Sequence, residues 1–354
     1  MKILVIQIKM IGDVLASSLI CNSLKSEFPN AQIDYLVSPF TKPVLENNPN
    51  IDNVVFFEDT FRKDFKAFYF FLKRIRYEKY DIVIDPFAKL ESGLVTFFSG
   101  AKQKIGYLNK GVFFAYNKKV THHDVPYSNY GLAIERKISL IKDIVAEENI
   151  NPYPKLFLTE KEKDQANTLF KRNDLNHRNI IMFNIFGSTA NKTYPEKYMV
   201  EIINYITENN NVKILFNYTP KQYNEALSLY SKCSTTAKEK IILDVIGTDL
   251  RSFITIMNHC NFIIGNDGGA INIAKALNKP TFTIFSPWIK KESWSTFEDG
   301  LTHIGVHLND YEPNLLENKS REILKSNYLE YYIKFEPKYF KDLVNQFIKN
   351  QIHS

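Results

Sequence analysis

The stretch ILVIQIKMIGDVLASSLICNSLKSEFPNAQIDYLV, residues 3–37, decides the fold. ILVIQI (3–8) is a continuous apolar run of strand type. Val14, Leu15, Leu19, Ile20, Leu24 and Phe28 then recur at helical spacing, and AQIDYLV (31–37) is a second strand. Strand, helix and strand in this order form a βαβ unit, which implies a parallel sheet with helices on its faces. Gly12 and Asp13 stand at the hinge between the first strand and the helix. An acid there fits two roles. It can cap the helix, or the positive helix start can keep it ionised as a general base requires.

The same alternation continues outward. NVVFF (53–57) and DIVID (81–85) read as further strands, and FRKDFKAFYFFLKRIRYEKY between them is long enough for a helix. The segment EENINPYPKLFL (147–158), with two prolines and several polar residues, reads as a linker. The pattern then restarts. NIIMFNIFG (179–187), VKILFNY (212–218), IILDVIG (241–247), NFIIGND (261–267) and PTFTIFSP (280–287) read as strands, the last as the final one. PEKYMVEIINYI, RSFITIMNHC and AINIAKALN read as helices between them. The 354 residues exceed the usual size of one domain. The expected division is 1–152, 153–335 and a C-terminal helix at 336–354 able to pack back on the first domain.

Composition narrows the function class. Hydrophobic residues make up 44% and charged residues 24%, as in globular proteins. Cys21, Cys233 and Cys260 are far apart and odd in number, which argues against a disulfide framework or a zinc site. The N-terminus has too short an apolar run for a leader, and no stretch approaches the ~20 apolar residues of a membrane span. A cytoplasmic protein is expected. The net charge is +6, yet residues 60–119 alone hold thirteen basic against five acidic residues, a local excess of +8. Such a field favours phosphates. No nucleic-acid-binding motif accompanies it. The basic, aromatic stretch 61–80 is either a core-packed helix with a solvated face or a surface resting on an anionic membrane. His122–His123–Asp124 sits in a polar segment and is read as incidental, so no metal is expected.

Ligands of open parallel sheets bind beyond the carboxyl ends of the strands. Three segments fall there. The first is KMIGD. The second is FGSTANKTYP (186–195), where Gly187, Ser188 and Thr189 let backbone amides approach an anion and Lys192 adds a full charge before a helix. Its plainer reading is a strand–helix loop with a capping hydroxyl. The third is NDGGAINIAKAL (266–277), where Gly268 and Gly269 permit a tight turn, and Asp267 either accepts from a ligand hydroxyl or caps the helix. SPWIKKESW (286–294) either lines a ligand site through Trp288 or Lys290, or packs.

Together these segments resemble glycosyltransferase family 9, the ADP-heptose:lipopolysaccharide heptosyltransferases. IKMIGDVLASSLICNSLKSEFPNAQIDYLV resembles the family's opening, with its Gly-Asp-Val-Leu and later Pro-x-Ala-x-Ile-Asp. DIVIDPFAKLESGL followed by KIGY matches its first domain. GSTANKTYPEKY resembles its Lys-x-Trp/Tyr-Pro loop, and DVIGTDLRSFITIMNHCNFIIGNDGGAINIAKALNKPTFTIFSP its longest signature. The resemblance runs in order from residue 2 to about 287.

The resemblance implies a GT-B fold, two Rossmann-like domains facing across a cleft, and an inverting, metal-independent transfer. The expected donor is ADP-heptose, bound as a substrate with no cofactor. The expected acceptor is a lipopolysaccharide core or related glycolipid at the cytoplasmic face of the inner membrane. It assigns Asp13 as base, with Lys9 and Gly12 on the acceptor side. It assigns Lys192 to the diphosphate, supported by Ser188, Thr189, Asp267, Gly268, Gly269 and Asn272, and Thr248 to the nucleoside. The sequence departs from the family at Gly268, where Thr is usual, and at Asn272, where His is usual. It also lacks the acid expected near 217–222 and carries Lys9 in place of a small residue. These departures leave the donor sugar open. Another nucleotide sugar, or a silent membrane-surface protein of the same fold, are the rival readings.

Overall fold

Each half of the chain builds a parallel sheet of six strands. The structure is a computed structural model and describes residues 1–109, 111–176 and 179–353. Lys110, one of the basic residues counted above, lies outside them. The chain divides into two units, Met1–Phe157 and Leu158–Ser354, so the break falls inside the proline-containing linker segment.

Unit 1 runs β1 (Lys2–Ile6), α1 (Ile11–Glu27), β2 (Gln32–Val37), β3 (Asn53–Phe56), α2 (Phe65–Tyr77), β4 (Ile82–Asp85), α3 (Leu90–Phe98), β5 (Gln103–Tyr107), β6 (Lys118–Val120) and α4 (Leu132–Ser139). The strand order is β3-β2-β1-β4-β5-β6, all parallel. Ile3 to Ile6 are fully buried, which is why β1 reads as an unbroken apolar run.

Unit 2 runs α5 (Glu160–Arg172), β7 (Ile180–Asn184), α6 (Glu196–Asn209), β8 (Lys213–Phe216), α7 (Tyr223–Lys232), α8 (Thr235–Lys238), β9 (Ile241–Ile242), α9 (Leu250–His259) and β10 (Phe262–Asn266). It continues through α10 (Gly269–Ala276), β11 (Thr281–Ile284), α11 (Lys291–Trp294), β12 (His303–Val306), α12 (Pro313–Leu316), α13 (Arg321–Ser326), α14 (Tyr328–Lys334) and α15 (Lys341–His353). Its order, β12-β11-β10-β7-β8-β9, repeats the topology of unit 1. In both units the first strand lies beside the fourth, so strand addition reverses at β1/β4 and at β7/β10. A crevice opens at the carboxyl ends of such a pair, and ligands bind there.

Several expectations need correction. Residues 280–287 do not hold the last strand, because β12 pairs with β11 beyond it. Its HIGV sequence is too short to stand out. Only Ile241–Ile242 of the expected strand 241–247 pairs with β8. The C-terminal helix spends its apolar face within unit 2. Val344, Phe347 and Ile348 are buried, with Phe347 edge-on to Phe262 at 5.4 Å between ring centroids.

Helix α2, within the stretch 61–80, packs one face into the core and leaves the other exposed. Asp64 caps it, accepting from the amides of Lys66 and Ala67. Phe71 and Ile75 are buried, and Phe71 joins a ring cluster with Phe57, Phe61 and Phe68. Phe65, Tyr69 and Phe70 face outward, at 85%, 54% and 65% exposure. No helix among the described residues is long and apolar enough to cross a membrane.

Candidate active site

In unit 1 the chain leaves β1 and enters α1 through Met10, whose φ of +65° is unusual for a residue with a side chain. Met10 holds the N-cap position and no side chain caps the helix there. Asp13 is therefore three residues past the cap, and the capping role does not apply. It stays in the first turn, where the helix start favours a carboxylate. Its side chain is 24% exposed, and the Nζ of Lys137 lies 3.9 Å from its Oδ1. Lys137 projects from α4, is buried, and also donates to the carbonyl of Ala133 at 3.1 Å. Burial draws the Lys137 ammonium below its ordinary value, and Asp13 opposes this. Sequence reasoning missed Lys137. The available signal was a lysine on the apolar stripe that carries Ile134 and Ile141.

Lys9 turns to Asp59, 3.6 Å away, and Gly12 sits half-buried beside Asp13. At the end of β4, Asp85 is fully buried. It accepts from the amides of Phe87 and Ala88 and from the Tyr116 hydroxyl at 2.7 Å. Burial pushes its carboxyl up to about 6. The pair His122–His123 packs and braces. His122 stacks on Tyr107 and His123 bonds Glu135 at 3.1 Å. A cavity of about 960 Å³ runs along edge strand β6, lined by Lys119, His123, Tyr127, Tyr130 and Lys142 among others, and none of the candidate catalytic, donor or acceptor residues lines it.

In unit 2 the two remaining segments meet at the β7/β10 reversal. The ends of these strands are joined by reciprocal side-chain bonds. Asn184 Nδ2 donates to the Asn266 carbonyl at 2.7 Å, and Asn266 Nδ2 to the Asn184 carbonyl at 2.9 Å. Both residues are buried, and leaving either group unpaired would cost about 1–3 kcal/mol. Asn217 donates to Asn184 Oδ1 at 2.7 Å. This close approach needs Gly265, whose φ is +138° and where a Cβ would stand 2.4 Å from the Asn184 carbonyl oxygen.

From this anchor the loop carrying Lys192 is fixed at four points. Asn266 Oδ1 accepts from the Tyr194 amide at 2.7 Å. The Asn191 carbonyl accepts from both Ser286 Oγ and Trp288 Nε1, each at 2.7 Å. The Gly187 amide donates to Thr193 Oγ1 at 3.0 Å. Ser188 and Thr189 are left exposed at the tip. Lys192 Nζ lies 3.4 Å from Asp267 Oδ2 and 5.8 Å from the centroid of the Trp288 ring. Asp267 is thus an ion-pair partner. The cap position of α10 belongs to Gly268, with no side-chain cap bond. Burial raises the Asp267 carboxyl against the pull of Lys192 and Lys275, and burial draws Lys275 down to about 8.

Gly268 does not make the tight turn expected of it. Its backbone is extended, and a Cβ there would meet nothing within 4 Å. The position is open to an approaching ligand. Asn272 donates back to the Gly268 carbonyl at 3.2 Å. Thr248 is exposed, 3.5 Å from Ser252 Oγ, just before α9, which Asp249 caps. Lys290 is exposed, whereas Trp288 is buried and carries three cations, with Arg321 and Lys325 at 4.9 and 5.1 Å from its centroid beside Lys192. Arg321 and Lys325 went unread in the sequence because they follow the last clear strand–helix alternation. Among the described residues no group of three or more His, Cys, Asp or Glu side chains is gathered as a metal would require.

Gly187 gives the first prediction. A Cβ there would stand 2.3 Å from the Lys192 carbonyl oxygen, which is backbone and can yield only if the loop moves. Gly187→Ala is expected to destabilise unit 2 by about 1–3 kcal/mol in a urea melt. An unchanged midpoint would show that the loop is not held as described.

Residues 69–322 match the profile of glycosyltransferase family 9 (heptosyltransferase). Lipooligosaccharide heptosyltransferase 2 of Haemophilus influenzae is 23% identical over 299 residues, covering 81% of this chain and 84% of that protein. The family 9 glycosyltransferase structure from Veillonella parvula superposes with a TM-score of 0.72 at 17% identity, over 94% of this chain and 97% of that one. The ADP-heptose lipopolysaccharide heptosyltransferase II of Escherichia coli gives 0.68 at 18%, over 95% and 99%. The two Rossmann-like units are those of the GT-B fold, and the profile spans most of the chain. This protein belongs to glycosyltransferase family 9 and is a heptosyltransferase-like glycosyltransferase.

Proposed function

We propose that this enzyme transfers heptose from ADP-heptose, with inversion and without a metal ion, to a hydroxyl of a lipopolysaccharide core or related glycolipid at the cytoplasmic face of the inner membrane. The observation that carries this reading is Lys192, a cation fixed at the strand reversal of unit 2 by a fully bonded loop. The names of the relatives supply the donor and the acceptor class.

The chemistry is an in-line displacement at the anomeric carbon through an oxocarbenium-like transition state. Asp13 takes the acceptor proton as the new C–O bond forms, with Lys9 and Gly12 on the acceptor side. The C–O bond to the diphosphate breaks, and its electron pair leaves with the nucleotide. Negative charge grows on that diphosphate. Lys192, Ser188, Thr189 and the amides around Asp267, Gly268 and Gly269 are oriented in advance to meet it, with Asn272 behind them. A fixed cation does there what a metal would do elsewhere. Thr248 contacts the nucleoside.

The membrane side of the proposal rests on the outer face of unit 1. Exposed Phe65, Tyr69 and Phe70 on α2 alternate with Lys66 and Lys73. Phe97 and Phe98 end α3, and Lys104 lies 5.6 Å from the Phe97 centroid. Aromatic rings interleaved with lysines suit the headgroup layer of an anionic bilayer.

Thermal shift with ADP-, GDP- and UDP-sugars, and ADP alone as control, tests the donor. At a hundredfold excess over Kd the correct nucleotide adds about 2.7 kcal/mol, a rise of several degrees in Tm. ADP-heptose and ADP are expected to give it. Stabilisation by GDP or UDP compounds alone would reject ADP-heptose and favour another nucleotide sugar on the same scaffold.

A further inference from the structure

α4 buries two charged residues beside Leu132 and Ile134. Glu135 is held by His123, by the amides of Tyr127 and Ser128 and by the Ser128 hydroxyl, whereas Lys137 turns to Asp13. An apolar residue would fill this position at no desolvation cost, and a buried ammonium is expensive. The Nζ is nevertheless 3.9 Å from Asp13 Oδ1, and its own-helix bond to Ala133 leaves the rest of its charge directed there.

The groups around the pair have other engagements. Tyr35 of β2 donates to the Val14 carbonyl at 2.7 Å, and Tyr107 of β5 to the Arg136 carbonyl at 2.9 Å. Arg136, next to Lys137, points to the His123 carbonyl and to Asp124. Lys9 pairs with Asp59, and Asp85 accepts from Tyr116.

We propose that Lys137 is a positioning residue that holds the Asp13 carboxylate ionised and aimed for proton abstraction from the acceptor. The proposal rests on the reading of Asp13 as base given above. In the step, the acceptor O–H proton passes to Asp13, the acceptor oxygen bonds the anomeric carbon, and the electron pair of the broken C–O bond leaves with the diphosphate. The neutral Asp13 carboxyl then faces a cation, which favours release of the proton to solvent and resets the base. The Lys137 side chain is only 9% exposed, so its removal is expected to act through Asp13.

The test is the pH profile of kcat for the wild type, Lys137→Met, Lys137→Gln and Lys137→Arg, with Asp13→Asn as control. An opposite charge this close holds a carboxyl down by about 1–3 pH units. Without it Asp13 protonates at higher pH, and only the ionised form works. The acidic limb of Lys137→Met is therefore expected to move up by about 1–2 pH units, with the deficit largest at pH 6 and closing toward pH 9. Donor KM should stay unchanged, and Lys137→Arg should return the limb to its place. Asp85 owes its shift to burial and to its bonds with Ala88, Tyr116, Ser92 and Phe87, not to Lys137, so differences between profiles are expected to report Asp13. If Lys137→Met fails to fold, Lys137→Gln, which also lacks the charge, carries the same expectation. An equal fractional loss at every pH, or an unmoved limb, overturns the proposal while Asp13→Asn keeps its large loss of kcat. Wild-type turnover in Asp13→Asn would instead remove the base assignment on which it rests.

Discussion

Asp13→Asn is expected to lower kcat by about 10²- to 10⁴-fold, the range that a positioned general base supplies. The amide keeps the shape of the carboxylate but cannot take a proton. The helix survives the change, because an acid in the first turn is worth only about 0.3–1 kcal/mol. Donor affinity should hold within about twofold, since the residue belongs to unit 1 and the proposed donor residues to unit 2. Part of the ion pair with Lys137 is lost, and that lysine is buried. The variant should therefore melt somewhat earlier near neutral pH. The sign with pH follows from the lysine. Its folded value lies below its unfolded one, so stability lost there returns as pH rises toward the unfolded value of 10.5. Single-turnover transfer and calorimetry with ADP read the two effects separately. A variant with wild-type kcat would remove Asp13 from the chemistry.

The sequence carries the parts of this site that are local and hides those that are paired at a distance. β1, α1 and β2 were readable because each buries a continuous or periodic apolar surface. β5, β6 and β12 were not, because QKIGY, KKV and HIGV are short and partly polar and become strands only by pairing with a neighbour. The loops bearing Asp13 and Lys192 were readable as ends of strands. Their partners were not. Lys137 reaches Asp13 across the α1–α4 packing, and Asp267 reaches Lys192 across the β7/β10 reversal. The local pattern left a helix cap open for both Asp13 and Asp267, yet Met10 and Gly268 hold those positions. The asparagine pair Asn184 and Asn266 shows the same limit. Each looks like an ordinary strand-end polar residue, and only together do they form the anchor to which the cation loop is bonded.

Lys192→Ala is expected to cost about 10²- to 10³-fold in kcat, as does the loss of one fixed group aimed at developing charge. Unlike the Asp13 variant, it should also weaken ADP binding, because part of the diphosphate charge is present before the bond breaks. The loop itself should stay in place, since its anchors at Asn266, Ser286 and Trp288 bond the backbone of Asn191 and Tyr194 and not the lysine side chain. Asp267 loses its 3.4 Å partner and is already pushed up by burial, so it takes a proton at higher pH than before. Lys192→Arg keeps the charge but replaces a compact ammonium by a planar fork, and partial rescue of ADP affinity with incomplete rescue of kcat is expected. The pattern across the two sites is what tests the assignment. Asp13→Asn should separate turnover from binding, and Lys192→Ala should lower both. If Lys192→Ala binds ADP as tightly as the wild type and turns over normally, the cation at the β7/β10 reversal does not meet the leaving group, and the donor must bind elsewhere.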